Sequence, residues 1–160
     1  MITRIDTPTG KLWICGDSNA VTAVSWSVIE GPEDTGALNW ITSALEGYFA
    51  GKIQTFPGGL CFPGGTPVWS RQSTQADPMT LFHNILCAMS HIPYGRTAAY
   101  SDLALTLGNK NLARAVGQGC KKNPLPVIVP CHRVVGKHSL GGFSSGIDRK
   151  KILLKLEGVC

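Results

Sequence analysis

AYSDLALTLGNKNLARAVGQGC, running from Ala99 to Cys120, decides how the second half of the chain folds. It reads as two short helices, Ala99 to Leu107 and Asn111 to about Cys120, joined at Gly108-Asn109-Lys110. Two short helices linked tightly through a glycine have the sequence shape of a helix-turn-helix, whose second helix presents side chains to DNA, although any small helical hairpin shares it. The second helix carries Arg114 between Ala113 and Ala115, with Gly117 and Gly119 following. Small residues keep its surface low, so it can approach a narrow groove and a long cation can reach into the stack where a base has left. The competing reading is close helix packing with Arg114 merely solvated.

Toward the N-terminus, Leu81, Ile85, Leu86 and Met89 recur at helical spacing from Pro78 onward, and Pro93 and Gly95 stop that helix. Before it lies a loop-like stretch in which Pro57-Gly58-Gly59 is echoed by Pro63-Gly64-Gly65. Earlier still, Lys11 to Cys15 and Ala20 to Val28 read as a hairpin turning at Gly16-Asp17-Ser18-Asn19, giving two or three antiparallel strands. Asp34-Thr35 can cap a helix through Leu38, Ile41, Leu45, Tyr48 and Phe49, closed by Gly51. The four tryptophans all lie in this half and read as core or packing residues. The expected class is α/β in the α+β sense. A small N-terminal antiparallel sheet with a helix covers 1–54, a linker or elaborated loop 55–77, and a mostly helical C-terminal domain containing the helix-turn-helix 78–160.

At 160 residues and 43% hydrophobic composition the chain can bury one ordinary core, or a small core plus a satellite domain. No run approaches the roughly 18 to 20 apolar residues of a membrane span, and the first residues lack the apolar core of a signal peptide. A cytoplasmic location is expected, nuclear in a eukaryote, with no membrane partner. Charge is split. Up to Asp77 there are four basic and seven acidic residues, net −3, whereas from Pro78 onward eleven basic residues face three acidic ones, net +8. The basic half is therefore the one suited to a polyanion, with the first half supporting it. Six scattered cysteines without a Cys-x-x-Cys fit reduced thiols, and the adjacent Cys131 and His132 make poor joint ligands for a tetrahedral zinc, so no metal is expected.

After the second helix, Lys121-Lys122-Asn123-Pro124-Leu125-Pro126 leads into Val127-Ile128-Val129-Pro130 and then Cys131-His132-Arg133. The prolines predict an extended, stiff approach to Cys131. A thiol attacks as thiolate, which needs positive charge, donors or a base nearby, and His132 and Arg133 are candidates. Because adjacent side chains diverge, His132 is expected to act on Cys131 through a bridging water, and Glu157 is a plausible partner to hold the imidazole tautomer.

Taken in order, Ile92-Pro93-Tyr94-Gly95, Tyr100 to Gly108, Ala113-Arg114-Ala115-Val116-Gly117, Asn123-Pro124, Pro130-Cys131-His132-Arg133-Val134-Val135 and Leu153-Leu154 to Glu157 span about half the chain. This pattern resembles the O6-alkylguanine-DNA alkyltransferase family, also called methylated-DNA–protein-cysteine methyltransferases. The resemblance implies that Cys131 accepts the alkyl group and that His132 and Glu157 activate it through water. Asn123 matches a hinge residue that bonds the backbone around the recognition helix and active-site loop. The resemblance matches Arg114 to a finger that fills the gap left by a flipped nucleotide, with Ala113 and Gly117 beside it against DNA, and Tyr100 to a residue that assists flipping and contacts the base or its phosphate. Pro126, Val134, Phe143, Ser144 and Lys150 fall where the family forms its guanine pocket, Phe143 standing where the family often has Tyr. The implied activity is single-use: irreversible transfer of an alkyl group from O6-alkylguanine, and from O4-alkylthymine, in double-stranded DNA to Cys131, by a monomer without a cofactor. A lesion sensor that transfers nothing and a plain helix-turn-helix regulator are the alternatives. The first lacks a nucleophile, and the second leaves Asn123, His132 and Glu157 unexplained. A cysteine hydrolase would need an acyl substrate, which nothing in the sequence indicates.

Overall fold

Leu12 and Ile14 are buried while Trp13 between them and Cys15 after them are not, the period of two expected for a strand with one face on a core. In the computed structural model, which describes residues 1–57 and 78–159, this strand, β2 (Gly10–Gly16), is the centre of an antiparallel sheet with β1 (Ile2–Thr7) and β3 (Val21–Ser25) on its two sides. The register sets Ile5 opposite Leu12 and Ile14 opposite Val24, so the apolar side chains collect on one face. The return strand ends at Ser25, short of the expected Val28, which is 68% exposed.

Helix α1 (Asn39–Phe49) covers that face with Ile41, Leu45 and Tyr48, all fully buried at spacings of four and three. Burying each stabilises by roughly 1.5–3 kcal/mol. The expected cap at Asp34-Thr35 is corrected. Asp34 Oδ2 instead accepts from the backbone N–H groups of Gly36 and Leu38, at 3.1 Å each, closing a turn ahead of the helix, which starts without a side-chain cap. A short carboxylate prefers such local backbone partners when glycine lets the chain curl toward it. The tryptophans here are half-buried rather than central. Trp26 Nε1 donates to Thr9 Oγ1 at 3.0 Å, and the Arg4 guanidinium lies 5.3 Å from the Trp13 ring centre.

The chain divides into two compact units, Met1–Pro67 and Val68–Cys160. Beyond Pro57 the expected 55–77 connection lies outside the described residues, as do Trp69 and the second Pro-Gly-Gly run. The second unit holds helix α2 (Pro78–Ser90), opened by a proline whose missing N–H would have no helical partner in any case. Helices α3 (Tyr100–Thr106) and α4 (Ala113–Lys121) follow, separated by a 3-10 turn over Lys110–Leu112. Asn109 caps that turn, its side chain accepting from Asn111 N at 2.9 Å. Ala99, expected to open α3, instead ends a two-residue strand β4 (Ala98–Ala99), which pairs in parallel with β5 (Val134–Val135). That short ladder ties the start of α3 to the residues just after His132 and Arg133. Helix α5 (Ile147–Leu156) closes the unit, burying Leu153 and Leu154 with Ile85, Leu86, Met89, Leu103 and Val116 of the other helices.

Helix α4 meets α2 at Gly119, where a Cβ would lie 2.5 Å from Ile85 Cγ2. The β-branched Ile85 is stiff in a helix and cannot swing aside, so the approach depends on the missing side chain. Gly119→Ala should therefore cost about 1–3 kcal/mol through overpacking. Urea denaturation of the two proteins measures it, and equal midpoints would contradict this packing.

Candidate active site

The segment that delivers Cys131 is a folded turn, and the expected extended approach is corrected. Val129 N donates to Leu125 O at 2.8 Å, and Val127 between them takes φ +74°, in the left-handed region that a β-branched residue rarely occupies. Prolines at 126 and 130 restrict only Leu125 and Val129 before them, which leaves Val127 free to turn. Its strain, of order 1–3 kcal/mol, is held by full burial of Leu125, Val127 and Val129. Asn123 clamps the turn from within: its Nδ2 donates to Val129 O at 2.8 Å and its Oδ1 accepts from Leu125 N at 3.0 Å.

Cys131, His132 and Arg133 form one 3-10 turn, all buried. His132 Nε2 meets Glu157 Oε1 at 2.8 Å, with both side chains fully inaccessible. Arg133 grips the same carboxylate through Nε to Oε2 at 2.9 Å and Nη2 to Oε1 at 2.8 Å, the paired geometry that suits a guanidinium. Its Nη1 donates to Ile92 O at 2.7 Å, and its guanidinium lies 5.7 Å from the Tyr94 ring centre. Arg133 is therefore turned toward Glu157 and the end of α2, so the sequence-based view of it as a charge for the thiol is corrected.

Burial drives His132 below the usual imidazole range, against the pull of Glu157. The Arg133 and Lys150 cations add to the effect of burial, and together they outweigh the carboxylate. A neutral ring donating from Nε2 keeps Nδ1 as its basic nitrogen. Burial likewise pushes the Cys131 thiol up, opposed by a hydrogen bond from Asn123 and by the Lys150 ammonium. The resting pair is thus a protonated thiol in the same turn as a neutral base.

Cys131 opens onto a cavity of about 290 Å³. Gly117, Cys120 and Lys121 of α4 wall one part of it, Tyr100 stands at the start of α3, and Gly142, Phe143 and Ser144 come from the loop after β5. The loop packs against Tyr100 at Gly141, which has φ +68° and whose Cβ would lie 2.8 Å from Tyr100 Oη, so only glycine fits there. Burial first, then the neighbouring Cys120, pushes the Tyr100 phenol up, against a backbone hydrogen bond at Gly142. The phenol therefore remains a donor at neutral pH. Among the described residues no group of three His, Cys, Asp or Glu gathers where it could hold a metal ion.

Residues 80–159 match the family model of the 6-O-methylguanine DNA methyltransferase DNA-binding domain. The chain is 35% identical to the methylated-DNA–protein-cysteine methyltransferase of Methanosarcina acetivorans, over 97% of this chain and 96% of that protein. It belongs to the O6-methylguanine-DNA methyltransferase family. The fold agrees: the crystal structure of the Mycobacterium tuberculosis O6-methylguanine methyltransferase superposes with a TM-score of 0.80 at 32% identity, covering 98% of this chain and 93% of that one. A structure of the M. tuberculosis protein in complex with DNA gives the same score over 98% and 92%.

Of the residues singled out by sequence for this family member, Cys131, Tyr100, Gly117, Phe143 and Ser144 share the cavity, and His132 and Glu157 meet behind it. Pro126 and Val134 are buried but do not line it. Lys150 does not line it either. Its Nζ donates to Val134 O at 2.6 Å and Gly142 O at 3.0 Å, fastening the cavity loop to the strand after the nucleophile. Arg114 is exposed on α4, with Ala113 half-buried at its start. Sequence reasoning missed Cys120, Lys121 and Gly141. Cys120 and Lys121 follow Gly117 at helical spacings of three and four, a signal that was available. Gly141 was visible only as one of several loop glycines. Glu157→Gln should leave the Arg133 guanidinium buried without a counter-charge and destabilise the protein by about 3–5 kcal/mol. Urea denaturation checks this, and a loss near zero would mean that the cluster is solvated.

Proposed function

We propose that this protein repairs DNA by moving an alkyl group from O6-alkylguanine, and by the same chemistry from O4-alkylthymine, onto Cys131, where it stays. The observation that carries this reading is the arrangement at Cys131: a buried thiol facing a cavity, beside an imidazole kept neutral by burial and braced by a carboxylate. The helix-turn-helix and a net +8 from Pro78 onward support DNA as the partner.

A buried thiol cannot reach a base within the stack, so the lesion has to be flipped out. The exposure of Arg114 between Ala113 and Ala115, one turn from Gly117, supports its filling the space the nucleotide leaves. The thiol proton passes toward His132 Nδ1 through a water. The sulfur–carbon bond then forms as the carbon–oxygen bond breaks, the bonding pair leaves on the guanine, and a proton from Tyr100 neutralises the charge growing on the ring. The thiol proton returns through solvent to the phenol, so guanine and a thioether are the products. A thioether is not hydrolysed under these conditions, hence one molecule serves one lesion. Asn123 holds the turn in register, while Phe143 supplies a ring and Ser144 a hydroxyl to the base. Such a protein works as a monomer wherever the cell keeps its DNA.

Incubation with duplex DNA containing O6-methylguanine should add the mass of one methyl group to the intact protein, at Cys131, and restore guanine. Tight binding without an adduct would instead point to a lesion sensor. Arg114→Ala should slow repair of duplex DNA by about two orders of magnitude if flipping is limiting, since a few kcal/mol of unstacking is then uncompensated, and should leave reaction with free O6-benzylguanine little changed. Equal losses on both substrates, read by mass spectrometry, would remove Arg114 from that role.

A further inference from the structure

We propose that Cys120 sets the size of the alkyl group this site accepts, an inference that rests on the alkyl-transfer reading above. Helix α4 gives the cavity Gly117, Cys120 and Lys121. Gly117 has no side chain, and Lys121 is exposed and free to swing outward. Cys120 is thus the one compact side chain with which α4 closes the cavity. Its position is fixed from behind, where Sγ donates to Met89 Sδ at 3.4 Å and Met89 is fully buried.

The helix cannot retreat to make room, because Gly119 already brings its backbone against Ile85. Volume added or removed at position 120 is therefore volume taken from or given to the cavity. Displacement at carbon needs sulfur, carbon and oxygen nearly in line, with the reacting atoms about 3–3.5 Å apart. The first carbon is consequently fixed near Cys131 Sγ, and any further carbons project sideways from that line into the wall. A flat base is best matched to the side holding Tyr100 and Phe143, which leaves the α4 wall for the alkyl tail. Cys120 does not compete as an acceptor. Burial, and then the neighbouring Cys131, push its thiol up to about 12, so almost none is thiolate at neutral pH.

The test compares single-turnover rates on duplex DNA carrying O6-methylguanine and O6-benzylguanine, and reads their ratio whatever the absolute rates. Cys120→Ala should raise the benzyl-to-methyl ratio about tenfold, and Cys120→Leu should lower it by a similar factor, the scale of a methylene or two in an apolar pocket. Cys120→Ser, nearly equal in volume, should keep the wild-type ratio within about threefold, well under that single-methylene scale. A ratio left at the wild-type value in the Ala variant would overturn the proposal, and so would a Ser variant whose ratio rises like that of Ala. If the Leu variant does not fold, the Ala and Ser variants still decide it. Absence of methyl transfer by the wild-type protein would instead defeat the functional reading, leaving the two failures distinct.

Discussion

A carboxylate taken out of water is costly unless other charges and donors replace its hydration, and Glu157 has an arginine fork on one side and an imidazole on the other. The cluster joins three segments that are far apart in sequence. Arg133 and His132 bring the turn of the nucleophile, Glu157 brings the end of α5, and Arg133 Nη1 reaches the Ile92 carbonyl just beyond α2. Tyr94 adds a fourth tie by donating to Leu156 O at 3.2 Å. Cys131 shares its 3-10 turn with two members of this cluster, so its own placement follows from theirs. Apolar packing supplies most of the stability of such a unit, but directional bonds of this kind select one geometry for the turn.

The same cluster decides where protons sit. Burial drives the imidazole to the neutral form, and the Arg133 and Lys150 cations push the same way against Glu157. Arg133 thus acts on the chemistry without touching Cys131. Lys150 acts in a similar indirect way. It favours the thiolate from within the same unit, while its Nζ spends its hydrogen bonds on the Val134 and Gly142 carbonyls and holds the cavity loop in place.

Much of this was legible in the sequence, for reasons that differ by residue. Helical spacing and glycine punctuation marked α2, α3 and α4, because the amphipathic period and helix stops are local properties. The pairing of His132 with Glu157 was legible because an imidazole used as a base needs something to fix its tautomer, and few acidic residues exist in the second half to do so. What escaped was set by tertiary context. Nothing local distinguishes an arginine aimed at a thiol from one aimed at a carboxylate 24 residues away. The left-handed Val127 contradicts its own propensity and persists only because the core around it overrides that preference. Ala99 joins a strand of two residues because Val135 happens to lie beside it.

Burial of the nucleophile then fits single use better than turnover. An enzyme that recycles its cysteine gains from a low thiol pKa, since each cycle needs the thiolate again. A reagent consumed in one event gains more from avoiding the wrong event. An exposed, ionised cysteine would be lost to any passing oxidant or electrophile before meeting its lesion. At 4% exposure with its thiol pushed up, Cys131 is poorly reactive toward such reagents. Its reactivity appears when a ligand fills the cavity, excludes water and places an electrophilic carbon against the sulfur, so that binding energy offsets the cost of forming the thiolate. Burial of the thiol is thereby the source of selectivity, and the protein gives up speed on free alkylating agents to keep its one equivalent for a base that has entered the cavity.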